Sequence, residues 1–87
     1  MRVREMSRYF VHFTNADEFY EDLEGVELAG HAAARDYAVR DACNLMREGF
    51  ARPAERVAWK VEVVDESGRR LLALSFSELA NLHGRVC

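Results

Sequence analysis

The chain has little of several residue types that mark particular protein classes. Its 87 residues include two cysteines, one proline and five glycines. Two cysteines are too few for a disulfide-stapled scaffold, and neither Cys43 nor Cys87 has a partner at metal-ligand spacing. Few prolines and glycines, with 49% hydrophobic residues, argue against disorder and indicate one folded domain. We expect a reduced chain in which Cys43 is a buried structural thiol.

Long apolar runs and clustered positive charge are also missing. No segment approaches the roughly 20 apolar residues that span a bilayer, and the N-terminus lacks the apolar run of a signal peptide. This predicts a cytoplasmic protein that does not bind a membrane. The formal net charge is −3, and the bases near the N-terminus are only Arg2, Arg4 and Arg8. Nucleic-acid binding normally needs a larger basic stripe, so we expect no nucleic-acid partner.

Standard catalytic and nucleotide-binding motifs are absent from the sequence. Neither GxGxxG nor GxxxxGK[ST] occurs, and no glycines flank Ser75 or Ser77 as they would in a nucleophile elbow. We therefore predict no enzymatic activity and no cofactor.

The sequence does contain clear strand and helix patterns. Residues 8–14 are rich in aromatic and β-branched residues, which predicts a strand. Residues 19–23 are predicted to form a second strand, and the turn residues between the two predict a hairpin. Residues 31–50 repeat apolar side chains at three- and four-residue spacing, which predicts a long helix. Residues 57–63 place Val57, Trp59, Val61 and Val63 at every second position, which predicts a strand. Residues 70–76 are predicted to form the next strand, after a turn that contains a glycine.

This order predicts an α+β domain with ββαββ topology. We expect a four-stranded, antiparallel-rich sheet with one long helix packed on one face. The single domain, residues 1–87, should have its core at about 8–76 and an N-terminal arm at 1–7. Residues 77–87 should form a short helical turn, capped by Ser77, and a tail.

Potential metal ligands are concentrated where the second strand gives way to the helix. Four stand within ten residues: Asp22, Glu24, Glu27 and His31. On one helix Glu27 and His31 would share a face, as metal ligands require, but glycines at 25 and 30 interrupt it. We interpret the segment as a junction in which Asp22 and Glu24 accept backbone N–H bonds around the glycine turn. A small metal-dependent enzyme built on these four residues is the least favoured alternative, and we predict no metal site.

One helix can cover only one face of a four-stranded sheet. Strand alternation places Val11, Phe13, Phe19, Leu23, Trp59, Val61, Val63, Leu72, Leu74 and Phe76 toward the helix. It leaves Phe10, His12, Tyr20, Lys60, Glu62, Leu71 and Ala73 on the other face, with Glu62 a conceivable proton-transfer partner for His12. Monomers seldom leave contiguous apolar patches bare. We therefore predict an interaction surface, covered most simply by a twofold homodimer, at Phe10, His12, Tyr20, Leu71 and Ala73.

Three segments resemble a group of short bacterial proteins classified only as a domain of unknown function. They are RYFVHF, DLEGVEL and WKVEVVDESGRRLLALSF, and the resemblance covers roughly residues 8–76. It implies the same strand-strand-helix-strand-strand order and brings no known activity. A weaker similarity to the N-terminal part of HicB-type antitoxins implies an alternative, a regulatory protein that binds and masks a partner. The favoured hypothesis is a small, non-enzymatic, self-associating interaction module.

Overall fold

The computed structural model describes residues 6–82 and contains the predicted elements with two additions. In chain order they are β1 (Ser7–Thr14), β2 (Phe19–Tyr20), β3 (Val26–Leu28), α1 (His31–Arg47), β4 (Lys60–Asp65), β5 (Arg70–Ser75) and α2 (Phe76–Leu82). One turn of 3-10 helix, Pro53–Glu55, lies between α1 and β4. The predicted α+β class and ββαββ order are confirmed, and the additions are the short strand β3 and the 3-10 turn. The helix α2 stands where a short helical turn was predicted, and it begins at Phe76.

The sheet is antiparallel, with the order β2-β1-β4-β5. The short strand β3 pairs with β1 as well, on the N-terminal part of that strand. The central pair is β1 and β4, which come from opposite sides of α1 in the sequence. Their register runs from Tyr9 opposite Asp65 to Thr14 opposite Lys60. Because residues directly opposite one another share a face, this register decides which side chains lie together.

The core lies between the sheet and the two helices. Alanines at three- and four-residue spacing line the buried side of α1, so the helix can approach the sheet closely. The fully or nearly fully buried residues include Tyr9, Val11, Ala34, Ala38, Ala42, Cys43, Met46, Val61, Val63, Phe76 and Leu79. Phe76 and Leu79 belong to α2, so the core extends past residue 76 into the segment predicted to be a turn and tail.

Three predicted elements end or begin elsewhere. The strand predicted at 19–23 stops at Tyr20, and Leu23, expected inside, is 78% exposed. The strand predicted at 57–63 begins only at Lys60, and Val57 is 72% exposed. The helix ends at Arg47, because the chain turns away through Gly49, which has a positive φ of 100°.

The state of Cys43 differs from the prediction. Cys43 is fully buried, as predicted, but it is disulfide-bonded, so the expectation of a reduced thiol is wrong. Cys87 lies outside the described residues.

Among residues 6–82, no helix is long and apolar enough to cross a membrane.

Candidate functional site

Both helices pack against the same face of the sheet. The buried residues of β1 and β4, Tyr9, Val11, Val61 and Val63, lie on that face. The register places another set together on the opposite face, which we call the open face: Phe10, His12, Phe19, Lys60, Glu62, Val64, Arg70 and Ala73. Of the five residues predicted for the interaction surface, Phe10, His12 and Ala73 are on the open face.

Tyr20 is not on the open face. It lies opposite Phe13, which packs against the core, and its ring stacks on Trp59 at a centroid distance of 5.7 Å and an interplanar angle of 8°. The same register puts Phe19 opposite Thr14, on the open face, where its ring lies 5.2 Å from that of His12. The predicted orientations of Phe19 and Tyr20 are therefore both wrong, because the β1–β2 loop sets a register one residue away from the expected one.

Leu71 is not on the open face either. The pairing of β4 with β5 shifts register between Val63 and Val64, so β5 carries one extra residue at this point. Leu71 packs against the core and borders a groove of about 370 Å³ together with His31 and Arg35 of α1. The predicted orientation of Leu71 is wrong because regular alternation does not hold across a β-bulge.

Phe10 covers the main chain at Gly25. A β-carbon added at Gly25 would lie 2.8 Å from Cε2 of Phe10 and 2.8 Å from the carbonyl oxygen of Tyr9. Gly25 also has a positive φ of 72°. Only glycine satisfies both conditions without strain, so the half-buried ring of Phe10 and this turn depend on one another.

Among residues 6–82, His12 is the one polar residue in the buried set, with 9% of its surface exposed. Its Nδ1 accepts a hydrogen bond from the backbone N–H of Asp22 at 2.9 Å. A backbone N–H can only donate, so Nδ1 carries no proton and the neutral ring holds its proton on Nε2. Glu62 lies directly opposite His12 on β4, and its carboxylate is paired with Arg70 at 3.3 Å.

The carboxylate of Asp22 accepts three backbone N–H groups. Val11 donates to Oδ2 at 3.1 Å, and Glu24 and Gly25 donate to Oδ1 at 3.2 and 3.0 Å. Burial on its own would raise the pKa of Asp22. The three N–H donors and the nearby His12 outweigh burial and lower that pKa below its ordinary value of 3.8.

The four potential metal ligands of the junction do not converge. Glu24 contributes its carbonyl oxygen, which accepts from Arg8 at 2.7 Å, and the Glu27 carboxylate pairs with the same arginine at 3.0 Å. His31 is exposed and meets the ring of Tyr9 edge-on at 6.0 Å. Within residues 6–82 no group of three or more histidine, cysteine, aspartate or glutamate side chains could hold a metal ion. The Asp22 side chain accepts backbone N–H bonds around Gly25 as predicted. The Glu24 side chain accepts none in the part of the chain that the structure describes, and the Glu24 N–H instead donates to Asp22.

An acidic groove between β1 and α1 was not predicted. It has a volume of about 300 Å³, and its lining includes Tyr20, Glu21, Asp22, Tyr37 and Asp41 over a floor of Val11 and Phe13. Burial raises the pKa of Asp41, and the negative charges of Asp22 and Glu48 raise it further. The residues come from three separate segments, so no local sequence pattern indicates the groove.

A family model described as a domain of unknown function, DUF6894, matches residues 8–77. The chain belongs to this family. The DUF6894 match runs from β1 to the start of α2, so it includes the open face and the contact between His12 and Asp22. No curated protein and no solved structure matches the chain. The resemblance to HicB-type antitoxins therefore stays a prediction.

Proposed function

We propose that this DUF6894 domain is a small, non-enzymatic interaction module that binds a second copy of itself through the open face. One observation carries the proposal: both helices pack on the same side of the sheet, and the other side presents apolar groups to solvent. Phe19 is 54% exposed there, and Ala73 is exposed in the middle of β5. Exposed apolar groups on a sheet face without a covering layer are suited to contact with a partner.

The charges of the open face suit a second copy as the partner. A twofold interface brings the same patch together with itself, so the patch must be self-complementary. Lys60 and Arg70 supply positive charge and Glu62 supplies negative charge within that one patch. An antiparallel arrangement can place each copy's base opposite the other copy's acid, while the aromatic residues cover one another. This mixture of charges differs from the basic stripe that binding to nucleic acid would require.

Native mass spectrometry of the untagged protein tests this proposal. We expect a homodimer for the wild type and a folded monomer for the double variant Phe19→Ser, Ala73→Glu. Both residues are exposed, so the substitutions remove the contact without opening the core. Phe10 is left intact because its ring covers Gly25.

Val57→Ser is the matched control, since Val57 is 72% exposed and lies in the segment before β4, away from the open face. It should remain a dimer. A monomeric wild type, or a double variant that still dimerises, contradicts the proposal. A different protein chain bound to the wild type purified from its own cells also contradicts it, in favour of the partner-masking role that the antitoxin resemblance implies.

We also propose a cytoplasmic location. The support is the composition of the sequence, in which no segment has the apolar run of a membrane span. The disulfide-bonded Cys43 argues in the other direction, because disulfides are rare in the cytoplasm. Fractionation of the source cells decides between these arguments, and recovery of the protein outside the cytoplasmic fraction contradicts the proposal.

A further inference from the structure

The contact between His12 and Asp22 depends on the protonation state of the imidazole. Nδ1 of His12 accepts the N–H of Asp22 at 2.9 Å, in a site where the histidine is only 9% exposed. A proton added to Nδ1 turns that nitrogen into a donor. Two donors would then face one another at hydrogen-bond distance, so the chain at Asp22 and the ring must separate.

The groups around His12 carry charges of both signs. In the loop after β2, the carboxylate of Asp22 lies close enough to His12 for an electrostatic interaction between the two side chains. From β4, Glu62 lies directly opposite and Lys60 lies one diagonal position away, while Arg70 of β5 holds the Glu62 carboxylate. From β2 the neighbour is the uncharged ring of Phe19. Two acidic residues, Asp22 and Glu62, therefore neighbour the histidine, and the Glu62 carboxylate is already paired with Arg70.

Asp22 also covers part of the β1 edge. Between the short strands β2 and β3, the outward N–H of Val11 is bonded to the Asp22 carboxylate at 3.1 Å. An uncovered strand edge of this kind is a template for pairing with another chain. Whatever moves Asp22 therefore changes the accessibility of this edge.

We propose that His12 is a pH-sensitive latch: the neutral ring holds the segment from residue 15 to residue 25 against the edge of β1, and the protonated ring releases it. Histidine is the side chain that ordinarily changes charge between about pH 5 and 8, so the proposal is tested by comparing pH values at the two ends of that range. The latch acts within one chain, so it holds whether or not the domain self-associates.

Amide hydrogen exchange of the full chain, measured by NMR at about pH 8 and about pH 5, tests the latch. Each rate is corrected for the intrinsic exchange rate at that pH. We expect the protection of the Asp22 and Val11 amides to fall by about tenfold or more on acidification, while amides of β4 such as Val61 keep theirs. Equal protection of Asp22 at both pH values overturns the proposal.

Three variants identify the histidine responsible. His12→Asn carries an amide oxygen that accepts the Asp22 N–H without titrating, so its protection should be high at both pH values. His31→Asn removes an exposed histidine outside the contact and should respond to pH as the wild type does. His12→Phe lacks the acceptor and should show low protection throughout. Loss of protection in His12→Asn on acidification would assign the response to another group.

The wild type also provides a test that does not require any variant to fold. At about pH 8 the ring ¹⁵N shifts of His12 should report the Nε2–H tautomer with Nδ1 as an acceptor. A proton on Nδ1 at that pH overturns the proposal directly.

Discussion

At the scale of single residues, two aspartates organise the loops of this domain. Asp22 accepts three backbone N–H groups around Gly25 and on β1. Asp65, at the end of β4, accepts the Ser67 hydroxyl and the N–H groups of Ser67 and Arg69 in the turn before β5. The Ser67 hydroxyl and these N–H donors lower the pKa of Asp65 to about 2. In both turns one side chain stands in for backbone partners that a short loop cannot provide.

We predict that Gly25→Ala destabilises the domain by at least about 2 kcal/mol, because the added methyl group meets a ring and a carbonyl at a backbone conformation that alanine disfavours. The close atoms are Cε2 of Phe10 and the carbonyl oxygen of Tyr9, both 2.8 Å away. Chemical denaturation of both proteins measures the difference in the free energy of unfolding.

Gly68→Ala separates the two causes. Gly68 also has a positive φ, 89°, but a β-carbon there meets nothing within 4 Å. This variant should lose only the conformational part, about 1 kcal/mol. Equal losses in the two variants would mean that the contact with Phe10 contributes nothing.

At the scale of the elements, α2 begins with a capping box whose N-cap is Ser75, and the predicted cap at Ser77 is wrong. Ser75 Oγ accepts the N–H of Glu78 at 3.0 Å, and the Glu78 carboxylate accepts the N–H of Ser75 at 2.8 Å. The N–H of Ser75, the side chain of Ser75 and the charge of Lys60 together lower the pKa of Glu78. The pattern Ser-x-x-Glu is the usual signature of such a box, and it ends β5 as it starts the helix. Phe76 and Leu79 are thereby directed into the core.

Ser75→Ala should destabilise the domain by about 1 kcal/mol, the usual cost of losing an N-cap side chain. Ser77→Ala, two residues later and half-buried, tests the cap that the sequence analysis predicted. It should change the free energy of unfolding by less than Ser75→Ala does. Thermal unfolding of both variants decides, and a larger loss in Ser77→Ala would contradict the assignment.

At the scale of the whole molecule, the topology leaves one sheet face without a covering layer. Both helices follow strands that lead them to the same side, and a domain of this size buries a modest share of its surface. Self-association through the open face would supply the missing layer.

The homodimer prediction has a thermodynamic counterpart. Dimerisation stabilises the folded state by mass action, so the wild-type Tm should rise with protein concentration. The Tm of the Phe19→Ser, Ala73→Glu variant should not depend on concentration. A wild-type Tm that stays constant over about a hundredfold dilution would contradict a dimer formed on folding.

The kinds of element, their order and the buried side of α1 were determined by the sequence alone. These features depend on the spacing of apolar residues along the chain, which is a local property. The same is true of the glycine turn at Gly68 and of the placement of Phe10, His12 and Ala73, which lie on regular stretches of strand. For these residues alternation was sufficient to predict the face.

Only the tertiary structure decided the rest of the open face. The β1–β2 register places Phe19 there instead of Tyr20, and the β-bulge turns Leu71 toward α1. The burial of His12 likewise depends on a backbone group ten residues away. A shift of one residue moves a side chain to the other face of a sheet, and the energy that selects the shift comes from pairing between distant segments. Sequence periodicity predicts how the side chains of one strand alternate, whereas the composition of the open face depends on the registers between the strands.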